Sequence, residues 1–179
     1  MSLPEFQRNY FELFDLPVDF AMDQGQLGQR YREVQREAHP DRFASGSAHE
    51  QRLAVQYSAL INKAYATLRK PLSRALYLLE LAGMGREEVD AQPLDGGFLI
   101  TQMELREKLE SMGELVDPEP VLEHLITEIE GDIAEQEAAF ALNHAAGDIA
   151  PAAAACVKMQ YLEKLLQEAE QIESGLLEN

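Results

Sequence analysis

Apolar residues recur every three to four positions along most of this chain, the spacing that places them on one face of an α-helix. The clearest run follows Asp23 and stops before Pro40, and a longer one extends from about Ala48 to Arg69. Val, Ile and Thr are sparse, and no stretch alternates apolar and polar residues with the period of two that a strand shows. The pattern therefore predicts an all-α protein.

Prolines and glycines set the predicted helix boundaries, because proline breaks a helix and glycine commonly ends one. The predicted helices cover about residues 10–16, 23–39, 48–69, 72–82, 97–115, 118–146 and 148–173. Residues 83–97 hold four glycines and a proline, which is the composition of a linker or long loop. We therefore predict two domains, 1–82 and 98–179, joined by residues 83–97.

Charge is divided unevenly between these two parts. The chain of 179 residues carries 15 Lys and Arg against 32 Asp and Glu, a formal net charge of −17. Residues 1–80 hold ten basic and ten acidic side chains, so all the excess negative charge lies in the second half. Such a chain is not expected to bind nucleic acid or an anionic membrane through its average field.

Other features limit the compartment and the chemistry. The single cysteine, Cys156, excludes a disulfide scaffold and a multi-thiolate metal site within one chain, and its Ala-rich surroundings predict a small buried residue. The N-terminus lacks a basic segment followed by an apolar one, and no apolar run is long enough to span a bilayer. We expect a soluble protein of the reducing cytoplasm that binds no metal or cofactor.

A local basic patch interrupts the otherwise acidic character. On a helical wheel that starts at Leu27, the apolar residues of the helix over 23–39 fall close to zero, whereas Arg32 and Arg36 fall at about 140° and 180°. The tripeptide His39-Pro40-Asp41 follows in a loop, and Arg42 comes directly after it. The tripeptide alone could be an ordinary turn, because Pro and Asp are common turn residues. An enzymatic acid–base pair would need a third group, which the sequence does not supply.

Together these features resemble a J-domain, the module that activates DnaK-class ATP-dependent chaperones. More narrowly, the chain is similar to the HscB family of J-proteins that serve iron–sulfur cluster assembly. The matching strings are FASGS at 43–47, INKAYATL at 61–68, PLSRALYLL at 71–79, FLI at 98–100 and ELRE at 104–107. The resemblance covers nearly the whole chain, and its C-terminal part makes it specific.

The resemblance implies that the N-terminal domain docks on the nucleotide-binding domain of an HscA-type chaperone and triggers ATP hydrolysis there. The implied chaperone-binding residues are Arg32, Arg36, His39, Pro40, Asp41 and Arg42. Many J-domains have lysine where this chain has Arg42, so the charge is kept. The implied architecture is an L-shaped, all-α protein with an N-terminal J-domain and a C-terminal three-helix bundle.

The helix over 97–115 has two apolar faces on the wheel. Phe98, Leu105, Leu109 and Met112 cluster on one face, whereas Leu99, Ile100 and Met103 lie roughly opposite. A helix in a three-helix bundle buries only one face, so the second patch is either exposed or covered by the other domain or the 83–97 loop. The resemblance implies that it binds an IscU-type scaffold. The implied scaffold-binding residues are Leu99, Ile100, Met103, Glu104, Glu107 and Tyr161.

One member of that set is placed differently by the wheel. Tyr161 falls near the apolar stripe of Leu165, Ala169 and Ile172, where a core residue would lie. As a whole, the resemblance implies a co-chaperone that tethers two partners and is not itself an enzyme. A J-protein that serves a different client and a structural helical adaptor remain the alternatives.

Overall fold

The computed structural model describes residues 8–43 and 46–177, except for the side chains of Pro40 and Leu177. Ala44 and Ser45 of the FASGS string lie outside the described residues. The described helices are α1 (Tyr10–Leu13), α2 (Gln24–Ala38), α3 (Ala48–Arg69), α4 (Pro71–Leu81), α5 (Arg86–Asp90), α6 (Gly96–Glu110), α7 (Glu119–Ala146) and α8 (Ile149–Leu177). Two 3₁₀ turns, Pro40–Phe43 and Ser111–Glu114, complete the regular structure, and no strand occurs in the described part. The all-α prediction is confirmed.

Local side-chain chemistry sets the bounds of α2 and α3. The Asp23 carboxylate accepts a hydrogen bond from the Gln26 N–H at 3.0 Å and so caps α2. His39 has an extended conformation because it precedes Pro40, and α2 ends there. Ser47 and Glu50 cap α3 reciprocally, and these hydrogen bonds hold the pKa of Glu50 below its usual range.

The first compact unit is built on the hairpin of α2 and α3. Leu27, Ile61 and Leu68 are fully buried between the helices, and the rings of Tyr31 and Tyr65 stack with centroids 4.1 Å apart. The loop between the two helices is therefore presented by a packed pair of helices.

A buried arginine closes the end of α3. Arg74 donates to the Leu68 carbonyl at 2.6 Å and to the Phe20 carbonyl at 2.8 Å, and its guanidinium lies over the Phe20 ring. The carbonyls in the last turn of a helix have no partner within the helix, so this contact satisfies one of them.

The chain divides into its two compact units between Leu78 and Leu79. The segment over 83–97, predicted as a linker or long loop, contains α5 and belongs to the second unit. Val89 of α5 is buried, and Arg86 pairs with Asp90 and donates to Gln160 of α8 at 2.6 Å. Gly83 and Gly85 lie between α4 and α5, and Gly96 and Gly97 begin α6, so the four glycines do not mark a structureless stretch. Burial of Val89 stabilises the short helix between them.

The second unit packs α6 against the long hairpin of α7 and α8. Gly147 allows the tight turn between α7 and α8, because its φ of +81° lies in the left-handed region. The buried core of the bundle consists of Leu105, Leu109, Met112, Leu122, Leu125, Ile129, Leu162, Leu165 and Ala169. None of the described helices is long and apolar enough to cross a membrane.

Cys156 lies on α8 with no exposed surface, so the prediction of a small buried residue is confirmed. Burial raises the pKa of its thiol to about 12, which keeps it protonated and unreactive at neutral pH.

Candidate functional site

The loop after α2 is a short folded turn with its polar groups in solvent. The Asp41 N–H donates to His39 Nδ1 at 3.3 Å, and the Arg42 N–H donates to the His39 carbonyl at 3.0 Å. Pro40 supplies the first residue of the 3₁₀ turn, and its side chain lies outside the described residues. The Asp41 side chain is 90% exposed, and the His39 side chain is exposed beside it. The turn thus presents an imidazole and a carboxylate side by side.

Basic side chains lie on the second half of α2 and directly after Asp41. Arg32 and Arg36 are exposed one helical turn apart, and within the described residues neither forms an ion pair. The Arg42 guanidinium extends back along α2 and reaches the Arg36 carbonyl at 3.5 Å. The structure therefore joins Arg42, which directly follows Asp41, to the Arg36 turn of α2, and Arg32 lies one helical turn further from the loop.

The second predicted surface is the outer face of α6. Leu99, Ile100 and Met103 are exposed, and 64% of the Met103 surface is accessible. Leu105 and Leu109, on the opposite face, are buried in the bundle. The 83–97 segment therefore does not cover the patch, in contrast to one of the alternatives that the sequence left open. Glu104 and Glu107 are exposed on the same helix.

Part of this patch continues onto α8 as a groove. Leu99 and Met103 from α6 and Tyr161 from α8 line a space of about 460 Å³, together with Gln102, Arg106, Lys164 and Leu165. Tyr161 is 44% exposed, and its ring meets the Phe98 ring edge-on at 6.4 Å. The wheel placed Tyr161 in the core stripe, whereas the structure places it at the edge of the core.

Four residues of the groove were not predicted as part of the site, and one of them, Leu165, was assigned to the core. Arg106 and Lys164 are cationic, and Arg106 pairs with Glu168 at 3.4 Å. Each follows a predicted residue by three positions, Arg106 after Met103 and Lys164 after Tyr161, so helical spacing could have found both. Gln102 follows Leu99 by the same three positions, but a polar residue in the middle of a helix usually indicates a solvated face, so its burial was not expected.

A contact between α6 and α8 fixes the position of the patch. The Asp95 carboxylate accepts from the Phe98 N–H at 2.8 Å and caps α6. It also pairs with Lys158 Nζ at 2.6 Å, and that ammonium lies 5.2 Å from the centre of the Phe98 ring. The hydrogen bond from Lys158, and then that from Phe98, hold the pKa of Asp95 below its usual range. The first turn of α6 is thereby tied to α8.

Replacement of Asp95 by Asn should lower the melting temperature at pH 7 by about 1–3 °C, because Asn keeps the cap and loses the ion pair. The folded-state pKa of Asp95 lies below its ordinary value of 3.8, so the ionic contribution is complete above that value and is lost as pH falls through the folded-state pKa. Thermal melts followed by circular dichroism at pH 7 and pH 3 should show the difference from wild type shrink in acid.

Asp117→Asn is the matched control, because Asp117 is exposed on the connection before α7. It should leave the melting temperature unchanged at both pH values. A deficit of Asp95→Asn that stayed constant between pH 7 and pH 3 would contradict the ionic explanation.

Comparison with known proteins identifies the family. The family model described as the HscB C-terminal oligomerisation domain matches residues 94–170, which include the whole groove. The co-chaperone protein HscB homologue of Shewanella loihica is 41% identical over 171 residues, which cover 94% of this chain and 99% of that protein. The chain belongs to the HscB co-chaperone family. The family predicted from the sequence is thereby confirmed.

Solved structures of HscB proteins have the same fold. HscB from Vibrio cholerae superposes with a TM-score of 0.86 at 39% identity, covering 94% of this chain and 99% of that one. The human co-chaperone HscB superposes with a TM-score of 0.88 at 31% identity, covering 97% of this chain and 86% of that one. The predicted fold class, an N-terminal J-domain followed by a C-terminal helical bundle, is confirmed. In this HscB-family chain the loop and the basic face belong to the first unit, and the groove belongs to the second.

Proposed function

We propose that this HscB-family co-chaperone binds an IscU-type iron–sulfur scaffold and delivers it to an HscA- or DnaK-class chaperone, whose ATPase it stimulates. The exposed apolar patch of Leu99, Ile100 and Met103, continued by Tyr161, is the observation that carries the scaffold half. Stimulation of the chaperone promotes cluster assembly or transfer. The protein acts in the cytoplasm by binding its partners and does not itself catalyse a reaction or hold a cofactor.

The chaperone half rests on the loop and on the face of α2. Charge complementarity from Arg32, Arg36 and Arg42 would speed encounter with an acidic chaperone surface and set its orientation. The hydrogen bonds within the turn already order His39 and Asp41, so docking costs little conformational entropy. The exposed Asp41 carboxylate can accept charge-assisted hydrogen bonds from a basic group of the chaperone.

The scaffold half rests on an apolar surface with charged edges. Side chains that are exposed in the free protein and buried in a complex contribute most to affinity when they are apolar and central. Leu99, Met103 and Tyr161 occupy the centre here, whereas Glu104 and Glu107 lie beside them and would select a partner with basic groups at its rim.

In this proposal the co-chaperone acts by holding both partners on one chain. When both partners are bound to one co-chaperone, each meets the other at an effective concentration set by the chain rather than by the solution. The scaffold is thereby presented to the chaperone while its ATPase is being stimulated.

Steady-state ATP hydrolysis by a purified HscA-class chaperone tests both halves together. We expect stimulation by this protein alone and a further increase when an IscU-type scaffold is added. Stimulation without any scaffold synergy would leave a J-protein with a different client. No stimulation at all would leave a structural helical adaptor.

Reversing the charge of both arginines, in Arg32→Glu/Arg36→Glu, should raise the concentration for half-maximal stimulation about tenfold at low salt. The loss should shrink as salt is added, because exposed charges are screened over a Debye length of about 10 Å at 0.1 M. ATPase titrations at two salt concentrations measure both effects.

The control is Arg52→Glu/Lys63→Glu, which makes the same net change on exposed positions of α3. An equal loss in this pair would assign the effect to the charge of the whole unit rather than to the face of α2.

A further inference from the structure

Gln102 is a buried polar residue in the wall of the groove. Only 9% of its surface is accessible, although both neighbouring positions on α6 are exposed. Its Nε2 and Oε1 atoms are both buried, and neither has a hydrogen-bond partner within the described residues. The same side chain lines the groove with Leu99, Met103 and Tyr161. An unpaired carboxamide therefore lies where the proposed scaffold surface meets the interior of the unit.

An unpaired amide at this place destabilises the free protein. Most buried polar groups are hydrogen-bonded, and each exception in a folded protein calls for an explanation. A buried carboxamide loses its bonds to water and gains nothing in return, whereas an apolar side chain of the same shape avoids that loss. Gln102 is thus poorly suited to the isolated fold, and a bound partner that supplies both missing hydrogen bonds would explain it.

The chemistry of the missing partner follows from the groove itself. Nε2 needs an acceptor and Oε1 needs a donor, and a main-chain peptide group offers both. Apolar side chains that fill the groove bring their own backbone with them, and its N–H and C=O groups need partners once water is excluded. Met103 borders the site and adapts readily because of its three rotatable bonds, so a bound segment can open a path to the amide.

We propose that Gln102 pairs with a main-chain peptide group of the bound scaffold and is a specificity-determining residue of the groove. This inference rests on the scaffold binding proposed above. Binding through the apolar patch alone would not require a polar side chain at position 102, whereas the proposed pairing does. The amide of Gln102 would then strengthen scaffold binding and, at the same time, lower the stability of the free protein.

Gln102→Met tests the inference, because Met keeps the length of the side chain and removes the amide. We expect the melting temperature of the free protein to rise by roughly 2–4 °C. Isothermal titration with a purified IscU-type scaffold should show about tenfold weaker binding. In the wild-type protein, the Gln102 side-chain NH₂ resonances, assigned by their loss in the variant, should shift and become protected from exchange on binding.

Gln167→Met is the matched control, since Gln167 is exposed on α8 outside the groove. It should change neither the melting temperature nor the affinity. Wild-type affinity in Gln102→Met, or NH₂ resonances that do not respond to scaffold, would overturn this inference and leave the proposed function intact. A lower melting temperature of Gln102→Met would assign the residue a purely structural role. Failure of the wild-type protein to bind scaffold would overturn both proposals.

Discussion

Replacing His39 by Gln is expected to reduce the stimulation of an HscA-class ATPase at least about tenfold, the largest effect of any single change. The imidazole Nδ1 accepts from the Asp41 N–H and so helps to hold the turn in shape, while the ring itself stays exposed, where we propose that the chaperone contacts it. Gln lacks the rigid ring, so both the shape of the turn and the contact are lost. Steady-state hydrolysis at saturating chaperone and varied co-chaperone measures the change.

His49→Gln makes the same chemical change at an exposed position near the start of α3, and it should stimulate like the wild type. Scaffold binding should be unchanged in both variants, because His39 and the groove belong to different compact units. Full stimulation by His39→Gln would reduce the His39-Pro40-Asp41 turn to a connection between two helices.

Met103→Ala is expected to weaken scaffold binding by about 10- to 100-fold, the second largest effect. Met103 is the most exposed apolar side chain of the patch, so a partner that covers the groove would bury most of it. Full burial of such a side chain is worth about 1.5–3 kcal/mol. Isothermal titration with the scaffold measures the loss. The melting temperature should not fall, because the side chain is largely exposed in the free protein.

Leu142→Ala provides the comparison, since Leu142 is 73% exposed on α7 and does not line the groove. It should bind scaffold normally. Stimulation by Met103→Ala in the absence of scaffold should match the wild type, whereas the additional increase with scaffold should be reduced. Equal losses of affinity in the two variants would indicate a non-specific apolar contact.

Most helices could be predicted from the sequence because their signals are local. The apolar spacing of α2 and α3, the cap at Asp23 and the break at Pro40 depend only on neighbours along the chain. The short helix α5 could not be predicted in this way. Five residues are too few to show a period, and the helix is stabilised by contacts with α8 that are remote in sequence.

The candidate surfaces were likewise predictable only where they depend on neighbours along the chain. The second apolar face with Leu99 and Met103 follows from a wheel, because a helix in a small bundle buries only one face. That this face is exposed rather than covered is shown by the structure. The exposure of Tyr161 and the burial of Gln102 depend on how α6 and α8 approach each other. A wheel gives the direction of a side chain on one helix, but not the distance to the next helix, so neither result was available from the sequence.

The two walls of the groove come from α6 and α8, with the whole of α7 between them in the chain. The groove therefore exists only while the bundle is folded, and a linear peptide from either wall presents half of it. Ligand binding and folding are linked in such a site, so a partner at 100 times its dissociation constant stabilises the bundle by about 2.7 kcal/mol. In a cell, a co-chaperone loaded with its client would consequently resist proteolysis better than an empty one.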